Sequence, residues 1–299
     1  MSFRLALAAL AFAVSANACA GIPTLCERGK DITAAEQDRV LRFAGAVKGE
    51  LERSGEQVAL VARAGLDLSR FGLLYSHAGI ALKDDREGSW TVRQLYYACE
   101  ESRPRLFDQG IPGFALGADA PGNGHVSLVF VGDEDAAALE RAALDRRRAL
   151  ALLAGQYSAN AYAFGTRYQN CNQWVAELLA SAWGHLDSQD APRARAQDWL
   201  RAQGYTAGPV RVPSHWLMFA GQFVPLVHVG DHPLDDIYAL ALRVSVPASI
   251  EAFVHRREPA ARRVELCHDS RHIVVHRGWE PIGAACEPGP GDEVIALAP

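Results

Sequence analysis

The run Tyr168-Gln169-Asn170-Cys171-Asn172-Gln173-Trp174-Val175 constrains this chain more than any other stretch. It closes an irregular, polar segment and opens an apolar-periodic one. Trp174, Val175, Leu178, Leu179, Ala182 and Trp183 recur at helical spacing, and Gly184 supplies a stop. Apolar residues at that density predict a mostly buried helix. Asn170 is a good N-cap, because its side-chain oxygen can take a free N–H of the first turn. Cys171 then falls in that turn, where backbone N–H groups and the helix dipole favour a thiolate. A cysteine so placed becomes a nucleophile when a base stands near it.

The candidate base lies upstream, in Tyr75-Ser76-His77-Ala78-Gly79-Ile80-Ala81-Leu82. This reads as a strand with Tyr75, His77, Gly79 and Ala81 on one face. A turn at Asp84-Asp85-Arg86-Glu87-Gly88 leads into a second alternating run from Trp90 to Tyr97, which makes a hairpin. With the turn centred near 86, His77 falls opposite Gln94 to within a residue or two. Gln94 is the polar member of a face carrying Trp90, Val92 and Tyr96, and it can orient the imidazole by hydrogen bond.

Elsewhere, Thr33-Ala34-Ala35-Glu36 is a capping-box pattern opening a helix that ends near Gly55. Strands are expected at Val58 to Arg63, His125 to Val131 and Ile237 to Val246, with a hairpin of Val264 to Cys267 and Ile273 to His276 around Asp269-Ser270. Helices are expected from Asp133 to about Leu153, Pro192 to Gln203 and Ser249 to Arg256. Residues 100–124, rich in Gly and Pro, read as a long surface loop. The aromatic segment 156–169 leads into Cys171. It walls a substrate cleft or plugs the core, and Tyr75, Tyr162, Tyr168 and Trp174 are the cleft candidates.

About half of the chain is apolar (49%) and its net charge is −5, so a packed core is expected and the acidic balance argues against nucleic acid. Arg146-Arg147-Arg148 shares its helix with Glu140 and Asp145 and reads as a solvated face. Arg4, the short apolar run from Leu5 to Val14 and the small-residue sites at Ala16 to Ala20 read as an export signal over residues 1–20. Ala16, three residues before Cys19, argues against a lipoprotein. No later run is long and apolar enough to span a bilayer, so the mature chain is expected to be exported, to the periplasm or beyond. Six cysteines are present, and cleavage after Ala20 leaves five. In an oxidising compartment four can pair, as Cys26–Cys99 and Cys267–Cys286, with Cys171 left over. A fully reduced, buried set is the alternative.

His228-Val229-Gly230-Asp231-His232 holds possible zinc ligands, but there is no HExxH pattern and Pro233 marks a turn, so no metal is expected. His272, His276 and Trp279 read as packing residues. A cysteine 94 residues after a histidine is, taken alone, better read as a structural thiol and a core imidazole.

Order and context add to this. A Ser-His-Ala-Gly-Ile-Ala strand followed by Asn-Cys-Asn-Gln-Trp-Val-Ala-Glu-Leu resembles the circularly permuted papain-like enzymes, relatives of the NlpC-type peptidases and lecithin:retinol acyltransferase-like proteins. The chain also resembles an exported bacterial family, domain of unknown function 2145. The motifs that carry that likeness are Tyr75 to Gly79, Gln169 to Val175 and Val275-His276-Arg277-Gly278-Trp279. The permuted resemblance implies His77 as base, Gln94 as orienting residue and Cys171 as nucleophile. Asn170, Asn172 and Gln173 are the candidate oxyanion donors. Where those relatives often carry a second His, this chain has Gln94, which orients an imidazole but does not neutralise imidazolium.

The expected fold is α+β: a permuted papain-like core over 21–205, with an antiparallel sheet packed on the nucleophile helix, and a β-rich C-terminal extension over 206–299. The expected chemistry is acyl transfer from an amide, such as a peptide or cell-wall peptide, with no cofactor. A lipid ester or thioester is the enzymatic alternative, and a non-catalytic envelope binding module with a relict site is the other.

Overall fold

Thr33 caps helix α1 (Ala34–Ser54) with a reciprocal box: its hydroxyl accepts from the Glu36 N–H at 3.2 Å, and the Glu36 carboxylate accepts from the Thr33 N–H at 2.8 Å. The structure, a computed structural model, describes residues 32–84, 88–117, 123–187 and 190–297. The expected export signal over residues 1–20, Cys26 and residues 85–87 lie outside them.

After α1 come strands β1 (Val58–Arg63), β2 (His77–Lys83), β3 (Trp90–Ala98) and β4 (Arg103–Gly110). Helix α2 (Ile111–Leu116), strand β5 (Gly124–Phe130), and helices α3 (Asp133–Leu144), α4 (Arg146–Ala151), α5 (Cys171–Trp183) and α6 (Pro192–Ala202) follow. The last third holds β6 (Pro209–Arg211), α7 (His215–Gly221), α8 (Leu234–Tyr238), β7 (Ala241–Arg243), α9 (Pro247–Arg257), β8 (Arg262–His268), β9 (His272–Arg277) and β10 (Glu293–Ala296). Eight strands form one antiparallel sheet in the order β10-β9-β8-β5-β1-β2-β3-β4, and β6 pairs with β7 separately. Strands β8, β9 and β10, all after 205, therefore continue the sheet of those before it.

Period-two alternation assigns the two faces of this sheet. Ala59, Val61, Ala81 and Val92 pack under α1 and α2 with Phe43, Val47, Leu51 and Phe114. Leu60, Ala78, Ile80, Leu82 and Leu95 pack on the opposite side with Leu139 of α3, Trp174 and Leu178 of α5, and Phe253 of α9. Every residue of α5 is buried, because α3, α6, α9 and the sheet surround it. Among the described residues no helix is long and apolar enough to cross a membrane.

Four expectations need correction. Residues 100–124 are not all loop: they hold β4, an edge strand, and α2. The edge position explains how Pro104 is tolerated there. The helix expected from Asp133 to Leu153 breaks at Asp145, whose carboxylate accepts from the Arg147 and Arg148 N–H groups and so starts α4. The strand expected from Ile237 to Val246 is instead helix α8 and the three-residue β7. The segment 206–261 holds helices α7, α8 and α9 beside only the short strands β6 and β7, so the C-terminal third is mixed rather than β-rich.

Cys267 and Cys286 are disulfide-bonded, Cα atoms 5.7 Å apart, and tie the last hairpin to the tail. Cys99 is also disulfide-bonded; Cys26, its expected partner, lies outside the described residues. Cys171 is free and buried.

Candidate active site

The β2–β3 ladder runs from Lys83↔Trp90 to Ile80↔Arg93, short of His77, the first residue of β2. Around that end of β2 the N-terminus of α5 meets the strand. The Asn172 amide donates to the Ser76 carbonyl at 3.1 Å, and Cys171 Sγ lies 4.0 Å from the same oxygen. Sγ also sits 3.6 Å from Asn172 Oδ1. The backbone N–H groups of Ala78, Asn172 and Cys171 favour the thiolate form of this sulfur. The thiol is therefore held by backbone on both sides of His77.

The imidazole is fixed from the other direction. His77 Nε2 lies 2.8 Å from Gln94 Oε1, and Gln94 donates its amide to Gln109 Oε1 at 2.9 Å. That network makes Nε2 the protonated nitrogen and leaves the lone pair on Nδ1. The contact is diagonal, since the ladder register carries Gln94 toward Gly79. A Cβ on Gly79 would sit 2.6 Å from Val92 Cγ1 and 3.3 Å from Gln94 Cβ, so only glycine leaves this space. Tyr96 packs on His77 with ring centroids 4.9 Å apart.

Alternation places His77, with Gln94 and Tyr96, on the α2 face, while α5 covers the opposite face. Accordingly no hydrogen bond joins Cys171 Sγ to the imidazole. Both groups rest neutral. Burial, aided by the Arg63 charge, holds His77 down to about 3. Burial pushes the Cys171 thiol up to about 11, against the opposing N–H groups of Ala78 and Asn172 and the Arg63 charge. The helix N-terminus thus does not by itself make a thiolate here; desolvation wins.

The other expected site residues divide sharply. Asn170 caps α5 by accepting from the Gln173 N–H at 2.7 Å, and its amide donates to the Ala159 and Ser245 carbonyls, so it has no donor left for an oxyanion. Gln173 donates to the Tyr162, Ala163 and Gly165 carbonyls and pins the aromatic loop instead. Trp174 is fully buried with its indole N–H on the Ala149 carbonyl. Tyr75 donates to Glu265 in a buried network with Arg263. Tyr162 packs between Phe164 and His232, and Tyr168 stacks on His228 at 4.5 Å. Each of these four aromatics thus has a packing or hydrogen-bond partner in the fold. The residues around the imidazole and the thiol that sequence reading missed are Tyr96 and Gln109, on the His77–Gln94 side, and Arg63 and Tyr157, whose groups act on Cys171. The Tyr157 hydroxyl is pushed well up by burial and by Cys171. Two open clefts, about 450 and 590 Å³, lie away from Cys171, against α3 and α9 and against β4 and α4.

The His228–His232 segment is used internally: Asp231 accepts from the Tyr162 N–H and the His232 ring meets the Asn160 carbonyl. His276 pairs with Asp292 and Trp279 stacks on His255.

Fold and site together define an α+β protein in which a free, helix-N-terminal thiol and an amide-clamped, neutral imidazole share one short piece of strand. The chain belongs to the bacterial family DUF2145, described as an uncharacterized protein conserved in bacteria. The match covers residues 50–254, more than two thirds of the length, and includes Arg63, His77, Gln94 and Cys171. No curated protein and no solved structure matches the chain.

Proposed function

We propose that this protein is an exported cysteine hydrolase or acyltransferase on a permuted papain-like core, acting on an amide such as a peptide or cell-wall peptide. The observation that carries this reading is the tautomer: Gln94 and Gln109 reserve the Nδ1 lone pair of His77, beside a free thiol held at a helix N-terminus. In the reaction, Cys171 Sγ attacks the carbonyl carbon and its proton passes to Nδ1 through a water that enters with the substrate, since no direct hydrogen bond joins the two groups. The backbone N–H groups of Cys171 and Ala78 hold the oxyanion. Nδ1 then protonates the leaving amine as the tetrahedral intermediate collapses to a thioester. Water, or an acceptor amine, releases the acyl group by the same steps in reverse.

The closed resting state sets a condition on this chemistry. With the thiol pushed up to about 11 and the imidazole held down to about 3, burial strongly favours the neutral pair over an ion pair in the closed site. Substrate or water must therefore enter and relieve the burial before proton transfer. The same closure favours a second reading, a non-catalytic envelope module with a relict site.

Alkylation of Cys171 by iodoacetamide against pH, in wild type and His77→Ala, separates them. The enzymatic reading expects a reactive limb below the ordinary thiol range that disappears in His77→Ala. A thiol that is inert, or that titrates high and identically in both proteins, refutes it and leaves the relict module.

A further inference from the structure

Three arginines are buried among the described residues: Arg63, Arg193 and Arg263. Arg193 pairs with Glu177 at 2.8 Å, and Arg263 pairs with Glu251 and Glu265 at 3.0 Å. Arg63 has no carboxylate within ion-pair distance among the described residues. Its guanidinium donates to the Gly117 carbonyl and to the Tyr96 hydroxyl and lies over the Phe114 ring, and its Nε is buried with no hydrogen-bond partner. A buried, unneutralised guanidinium is costly, and native chains ordinarily pair such a charge.

Its position is not arbitrary. Arg63 stands directly opposite His77 in the β1–β2 register, and Tyr96 joins the two, one end on the guanidinium and its ring against the imidazole. Its charge is felt at both His77 and Cys171. The chain is also shaped around it: a Cβ on Gly65 or Gly117 would fall 2.8 or 2.7 Å from guanidinium nitrogens.

We propose that Arg63 is the anion receptor of this site, and that the acyl substrate carries a carboxylate close to the scissile carbonyl. This rests on the cysteine-nucleophile reading above. The missing counter-ion arrives with the substrate, and the planar fork of the guanidinium suits a carboxylate. An amide substrate of this class is a peptide bond near a free carboxylate, such as a chain terminus or an acidic side chain.

The test compares iodoacetate with iodoacetamide at Cys171 in the folded, full-length exported chain, each rate normalised to free N-acetylcysteine. The expected result is an iodoacetate preference of about tenfold, lost in Arg63→Gln and only partly kept in Arg63→Lys, which holds the charge but not the planar fork. A wild-type ratio equal to that of the free thiol overturns the proposal. So does an Arg63→Gln variant that slows both reagents equally, because Arg63 would then serve only the thiolate. If Arg63→Gln does not fold, propionate against propionamide decides in the wild type. Saturable protection of Cys171 from iodoacetamide by propionate alone supports the receptor, and equal or absent protection overturns it. Failure of both reagents to label Cys171 is a different failure, since it removes the nucleophile reading itself.

Discussion

His77→Gln keeps a hydrogen-bonding side chain beside Gln94 but removes a titrating group, so it isolates one contribution to acid stability. In the folded protein His77 is held down to about 3, first by burial and then by Arg63, with the Gln94 contact acting the other way. An unfolded histidine titrates near 6.5. Between these values the unfolded chain binds the extra proton, so stability falls as pH falls. The contribution is fully present above about 6.5 and declines by about 1.4 kcal/mol per pH unit below it, which amounts to about 2 kcal/mol between pH 7 and pH 5.

Urea unfolding at pH 7 and pH 5, for wild type and His77→Gln, reads this directly. Burial also lowers His125 and His268, so the wild type loses more than His77 accounts for. Those residues are common to both proteins and cancel in the difference. The expected difference in pH-induced loss is about 2 kcal/mol, with the variant less sensitive. Equal losses in the two proteins would mean that His77 is neither buried nor held neutral. The lone pair assigned to Nδ1, and the general-base role built on it, would then lose their footing.

Three further outcomes follow from the packing. Glu177→Ala leaves Arg193 buried without its carboxylate and frees Gln169 and Gln197, and is expected to cost about 3–5 kcal/mol in urea unfolding. Gly79→Ala drives a methyl into Val92 and the Arg93 carbonyl, for a loss of about 1–3 kcal/mol and a lower Tm. Replacing both Cys267 and Cys286 by serine opens a loop closed across 19 residues and is expected to cost about 3 kcal/mol in urea unfolding, and reduction of the wild type, which also opens the Cys99 bridge, should cost at least as much.

Where the signals are local, the sequence could be read correctly. The Thr33–Glu36 box, the 58–63 run, the hairpin and the Asn170-capped helix are each specified by residues within one turn or one ladder of each other. β4 was hidden because an exposed edge strand has neither a buried face nor a need to exclude proline. The role of Asp145 was hidden because an acid inside an apolar-periodic run reads equally as a helix surface residue and as a cap. The aromatic loop could not be assigned, since a plug and a cleft wall use the same side chains. Arg63 reads as the polar end of an apolar strand. Only its pairing with His77 across β1 and β2 reveals a buried cation at the site, and no local pattern encodes that.

The segments that converge on Cys171 are each held from behind by a buried carboxylate. Glu177 binds Gln169, Arg193 and Gln197; Gln169 accepts from the Ala154 N–H and donates to the Leu152 carbonyl, which fixes the chain one residue before the Asn170 cap. Glu265 accepts from Tyr75, two residues before His77, and from the Ile282 N–H, while Arg263 links it to Glu251 and Ser127. Buried ion networks are weak stabilisers compared with apolar packing of the same volume, because desolvation offsets most of their attraction. What they supply is geometry: several directional contacts must be met at once. Both networks occur beside the few residues that bring a helix N-terminus against the start of β2, and β8 supplies Arg263 and Glu265 to the second one. A merely structural thiol could sit there on apolar packing alone. The need for position at this junction weighs toward a site whose atoms must meet a substrate.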